Sequence, residues 1–163
     1  MKRFKRVSKV TLLLLALVIP VLAAGPTIVD NPFTSFVIPA ANHCGTFDVN
    51  AAPAAGKPNG GRVILFANSA IAFGPVFVTL TNLSTGKSIN LNISGPGKFS
   101  FTNNTSVANG PTLFLGFPPV APSNLQGIAF ATGHTVVQFD NSGNIISVSF
   151  VGNTPQNVCA LLE

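Results

Sequence analysis

The chain has 163 residues and a formal net charge of +5, with charged side chains at only 8% of positions and Phe as its sole aromatic. Lys2, Arg3, Lys5, Arg6 and Lys9 carry that whole excess, so the rest of the chain sets Lys57, Arg62, Lys87 and Lys98 against Asp30, Asp48, Asp140 and Glu163 and balances. Four scattered cations cannot neutralise a run of phosphates or anionic headgroups, which excludes a nucleic-acid binder and a polybasic membrane-surface site.

The basic head is followed by an uncharged apolar stretch, residues 10–24, and by the small residues Ala23, Ala24 and Gly25. That order is a secretory signal peptide of bacterial type, and the stretch is shorter than the roughly 20 apolar residues a spanning helix needs. Cleavage is expected after Ala23, leaving 1–23 as signal peptide and 24–163 as a single secreted β domain with no stable membrane span. Of the 14 Phe, only Phe4 lies in the leader; the remainder, with Val, Ile, Thr, Asn, Gly and Pro, suits sheets and tight turns.

Strands are expected at 34–38, 45–49 and 62–67, separated by an Ala/Gly/Pro-rich loop over 51–61. Val76, Val78 and Leu80 then alternate with Phe77, Thr79 and Thr81, and Ile89, Leu91 and Ile93 alternate with Ser and Asn. A period of two places one face on a core, and Ser84-Thr85-Gly86 joins the two runs as a hairpin. Gly95-Pro96-Gly97 reads as a turn, and strands follow at 98–102, 112–117 and 126–131, with a Pro-rich loop at 118–124. A second hairpin joins 135–140 to 145–151 across Asn141-Ser142-Gly143-Asn144, with Asp140 bracing the turn through its side chain. A short C-terminal helix over 156–162 is expected, with Thr154 as cap and Pro155 at the first helical position. The fold class is therefore all-β: an antiparallel meander closing as a barrel or as a two-sheet sandwich, with a short C-terminal helix sealing one end.

The two cysteines, Cys44 and Cys159, form an even pair in an exported chain and are expected to be disulfide-bonded. The sharper alternative, a Cys44 nucleophile served by His43, fails because neighbours on an extended chain point to opposite faces. His134 and Asp140 share strand parity with Gln138 but stand about 20 Å apart on an extended strand, too far for one metal ion. No Gly-x-Ser-x-Gly elbow, paired carboxylates in context or phosphate-cradling loop occurs, so no catalytic, metal or cofactor site is expected. Asn82, Asn92, Asn103 and Asn104 match Asn-x-Ser/Thr, a match that Asn/Ser/Thr-rich chains produce by chance.

The segment Thr81-Asn82-Leu83-Ser84-Thr85-Gly86-Lys87, followed by Asn92-Ile93-Ser94-Gly95-Pro96-Gly97, resembles a pattern of small exported bacterial proteins of unknown function. The resemblance covers one hairpin and the turn after it, and implies no activity. From the residues themselves, the first reading is a secreted binding or interaction module. Its partner is a hydrophobic small molecule or a cell-surface component, and Phe114, Phe117, Phe130, Phe139 and Phe150 are the cavity-lining candidates. A structural or cell-surface protein that self-associates comes second, and a hydrolytic enzyme third.

Overall fold

The computed structural model describes residues 25–116, 127–152 and 154–163; the leader, Phe117, the Pro-rich loop at 118–124 and Asn153 lie outside them. In chain order the strands are β1 (Thr27–Asp30), β2 (Phe36–Ile38), β3 (Val49–Pro53), β4 (Arg62–Leu65), β5 (Ser69–Phe73), β6 (Phe77–Asn82) and β7 (Ser88–Asn92). There follow β8 (Gly97–Ser100), β9 (Thr105–Asn109), β10 (Thr112–Gly116), β11 (Gly127–Ala131), β12 (Gly133–Phe139), β13 (Ile145–Gly152), β14 (Gln156–Asn157) and the helix α1 (Val158–Leu162).

These form three antiparallel sheets: a wide one ordered β1-β4-β5-β8-β9-β12-β13, an inner one ordered β2-β3-β6-β7, and a short one ordered β10-β11-β14. The all-β antiparallel reading holds. Each sheet has two free ends, so no barrel closes among the described residues, and the layered alternative is the one realised. The barrel fails because hairpins are dealt to different sheets: β6–β7 belongs to the inner sheet, whereas β4–β5 and β8–β9 belong to the wide one.

The wide and short sheets are one bent ribbon. Asn109 pairs with His134 and Thr112 with Ala131, and the Gly110 N–H donates to the Gly133 carbonyl at 2.7 Å across the corner. Gly110 and Gly133 both have positive φ there (90° and 105°), a conformation that costs little only without a Cβ. The bend folds the short sheet over the inner one. Ile38, Val49, Ala51, Val78 and Leu80 of the inner sheet meet Ile128 of β11 and Val158 and Leu162 of α1 in one core. The period-two expectation is met where it was strongest: along β6 Val78, Leu80 and Asn82 are buried, and along β7 Ser88, Asn90 and Asn92 are exposed.

Local chemistry explains both hairpins. In the first, the Asn82 side-chain oxygen accepts from the Ser84 and Thr85 N–H groups at 2.8 and 3.2 Å. In the second, one Asp140 carboxylate oxygen accepts from the Ser142 and Asn144 N–H groups at 2.8 Å each, and the other from the Asn144 amide at 2.9 Å. The Asn144 side chain, then its backbone N–H, hold the Asp140 carboxyl below the ordinary aspartate range. A carboxyl with a depressed folded pKa adds stability that is present above its unfolded pKa and is lost as pH falls through the folded value. Between about pH 5 and about pH 3 the thermal midpoint of the native chain should therefore fall further than that of Asp140→Asn. Parallel curves in a differential scanning series would remove the turn from the acid response.

Three expectations are corrected. The strand expected at 45–49 begins at Val49 and runs to Pro53, into the supposed loop, because Ala51 and Val49 belong to the core and pair with β6. The helix is shorter than expected: Gln156 and Asn157 pair with Phe130 and Ala129, and Asn157, not Thr154, caps α1 by accepting from the Cys159 and Ala160 N–H groups. The open edge of β11 offers a ladder to residues that would otherwise begin the helix. β1, β5 and β9 were not anticipated; β5 reads Ser-Ala-Ile-Ala-Phe, with little β-branched or aromatic content to mark it.

Candidate functional site

The disulfide expected between Cys44 and Cys159 is present, with Cα atoms 5.3 Å apart and a sequence separation of 115. It pins the start of the inner sheet to α1, and no cysteine is free for nucleophilic chemistry. His43 beside it has an imidazole held below the ordinary histidine range by burial, while its contact with the Pro39 carbonyl acts in the opposite direction.

The other titratable candidates stand apart. His134 Nδ1 meets the Asn109 side-chain oxygen at 2.8 Å, Asp140 braces its turn, and Asp48 accepts from the Ala40 N–H at 2.7 Å. Among the described residues no three His, Cys, Asp or Glu side chains gather closely enough to hold a metal, and no helix is long and apolar enough to cross a membrane.

The five Phe candidates are divided among different places. Phe114 and Phe150 meet edge-on at 5.9 Å between the short and wide sheets. Phe139 packs on Phe99 at 5.7 Å, and Phe130 packs against the main core. Phe117 lies outside the described residues.

Phe130 and Phe150 each border a small hollow near Thr154, and a further concave surface lies where the β1–β4–β5 end of the wide sheet meets the segment leading into β2. It is a groove of about 320 Å³ bordered by Phe33, Phe36, Phe73 and Arg62, and it continues over Gly74 into a second hollow beside Asn59. Phe33 and Phe36 stack at 5.6 Å with their planes tilted 47°. Phe36 and Phe73 keep 41% and 38% of their surface exposed, which is the feature that makes the groove apolar yet accessible.

The walls are fixed by polar clamps. The Asn59 side chain accepts from the Phe33 N–H and donates to the Phe33 carbonyl, both at 2.8 Å, so it acts as a strand partner for that residue. At the rim Arg62 Nε donates to Asp30 at 3.0 Å, an exposed ion pair that contributes little to stability but places a guanidinium beside the rings. The floor tolerates no side chain: a Cβ at Gly61 would lie 2.5 Å from the Asn31 carbonyl oxygen, and one at Gly74, where φ is +113°, would meet the Gly60 carbonyl.

None of Phe33, Phe36, Phe73 or Asn59 was singled out from the sequence. They come from three separate segments, one holding both Phe33 and Phe36, and the pairings of β2 with β3, β1 with β4 and β4 with β5 assemble them. Comparison with known proteins finds nothing similar: no family model, no curated protein and no solved structure matches this chain.

Proposed function

We propose that this protein is an exported binding module and that the Phe33–Phe36–Phe73 groove is its ligand site. The observation that carries the reading is the convergence of three partly exposed aromatic rings on a concave surface beside the Arg62–Asp30 pair. The basic-then-apolar leader and the disulfide both support passage to an oxidising compartment. Ligand sites are commonly apolar hollows of about 300 Å³ or more with a few placed polar groups, which is the composition here.

A groove this open covers one side of a ligand and leaves the other in water. The ligand class is accordingly a small molecule with a flat apolar face and an anionic or strongly accepting group within reach of Arg62. The rings supply area and stacking, while the guanidinium supplies a planar donor fork.

An anilinonaphthalene sulfonate dye has both features, and the absence of Trp and Tyr leaves its fluorescence free of competing protein emission. Losing one ring contact costs roughly 1–2 kcal/mol, so the Phe36→Ala/Phe73→Ala double variant should bind the dye more than tenfold more weakly while it still unfolds cooperatively above the assay temperature. Arg62→Gln should weaken it by a smaller factor. Dye binding equal to that of the native protein in the double variant would place the site elsewhere.

A further inference from the structure

We propose that β13 is a self-pairing edge: two copies of this chain join antiparallel through it, about a two-fold axis at Val148. Among the described residues β13 is the last strand of the wide sheet, with β12 as its single neighbour, and at eight residues it is the longest strand. Half of its main-chain N–H and C=O groups thus face away from the ladder. Its side chains there are apolar and open to water, with Ile146 58% and Val151 59% exposed.

Proteins blunt such edges with Lys, Pro, bulges, inward-pointing charge or shortness. The opposite edge, β1, has four residues and ends on Asp30, which is paired with Arg62. β2 has three residues and is followed by Pro39, β14 has two, β10 has five and follows Pro111, and β7 is preceded by Lys87. From Ile145 to Gly152 β13 carries neither charge nor Pro. Its one interruption is the bulge opposite Gln138 and Phe139, which leaves the ladder regular from Ser147 onward.

A second copy is the occupant because the strand complements itself. With Val148 on the axis, Ser147 faces Ser149 of the other copy along the regular part of the strand, and the bulged Ile145–Ile146 segment lies against Phe150 and Val151, so apolar meets apolar and hydroxyl meets hydroxyl. Moving the axis to Ser147 or to Ser149 sets a serine against Ile145 or Val151. Charge is matched as well: any charged residue near the axis would meet its own kind, and none occurs between Asn141 and Leu162. Pairing also brings Ile146 of one copy beside Phe150 of the other, covering the apolar row that leads to Phe114. One strand pair lies at the low end of protein interfaces, below roughly 1,200 Å² in all, so the association is a concentration-dependent monomer–dimer equilibrium.

Sedimentation equilibrium on the exported, disulfide-bonded protein, taken from micromolar to millimolar concentration, tests this. The expected result is a dimer and nothing larger. Ser147→Lys/Ser149→Lys sets like charges opposite each other twice and should weaken the dimer about tenfold or more, whereas Ser147→Asp/Ser149→Lys, which sets Asp against Lys in the same register, should restore it. Both serines are exposed, and the restoring variant shows that the first one's loss is not a loss of folding. A monomer at every concentration, a dimer indifferent to the Lys pair, or a Lys–Asp variant that stays dissociated would overturn the proposal. Species growing beyond the dimer would mean that β13 pairs with β1 instead, and would overturn it too.

Discussion

Replacing Cys44 and Cys159 together by alanine should lower the unfolding free energy by roughly 4 to 5 kcal/mol. The figure follows from closing a loop with a sequence separation of 115, whose entropy in the chain-entropy model is removed from the unfolded ensemble by the cross-link. The loss should show locally before it shows globally. α1 has five residues, too few for a helix to persist in water by itself. It stays in place through the burial of Val158 and Leu162, the Asn157 cap and the disulfide. Hydrogen exchange should therefore accelerate first in α1 and β14, and a urea titration should show the midpoint fall. An unchanged midpoint in the double variant would mean that packing alone closes this end and that the disulfide adds nothing.

Asn82→Ala should destabilise the protein by about 2 to 3 kcal/mol. Asn82 is 1% exposed, and its two side-chain functions serve two distant elements. Its oxygen organises the β6–β7 turn, and its amide donates to the Leu162 carbonyl at 3.1 Å, across 80 residues of chain. Removing it leaves the last-turn carbonyl of α1 buried without that donor, and the cost of such a group exceeds the net worth of the bond. Asn82→Asp separates the two roles, because it keeps the acceptor for Ser84 and Thr85 but turns the donor into a charge facing a carbonyl. It should be at least as damaging as alanine at neutral pH, and native-like melting of Asn82→Asp would refute the role of the Leu162 contact. Because Asn82 and the disulfide hold the same helix, their losses should combine non-additively. The burial of Asn82 also gives its Asn-Leu-Ser match an ordinary meaning: the amide is occupied in turn and helix contacts.

What could be read directly from the residues was local. The two hairpins follow from period-two runs meeting at Ser-Thr-Gly and Asn-Ser-Gly-Asn, and the bracing role of Asp140 follows from its place before the second turn. These features depend on neighbours a few positions apart, so the chain states them without help. The disulfide was equally plain, since two cysteines allow only one pairing. The boundaries near 45–53 and 154–158 were not, because there a strand partner outbid local preference: β6 drew Ala51 into a ladder, and β11 drew Gln156 and Asn157 out of a helix.

By itself the sequence determined the class of object: alternating strands with a buried face, tight polar turns and one cross-link between distant segments. Tertiary structure alone decided which sheet each hairpin joins, and with it both surfaces proposed for binding. Phe33, Phe36, Asn59 and Phe73 form a groove because β2 pairs with β3, β1 with β4 and β4 with β5, contacts that no local pattern encodes. β13 is an edge because β12 takes β9 as its other neighbour and, among the described residues, no strand follows on the far side. Periodicity reports which face of a strand is buried, whereas neighbours are chosen by non-local pairing, and a groove or an edge is a property of neighbours.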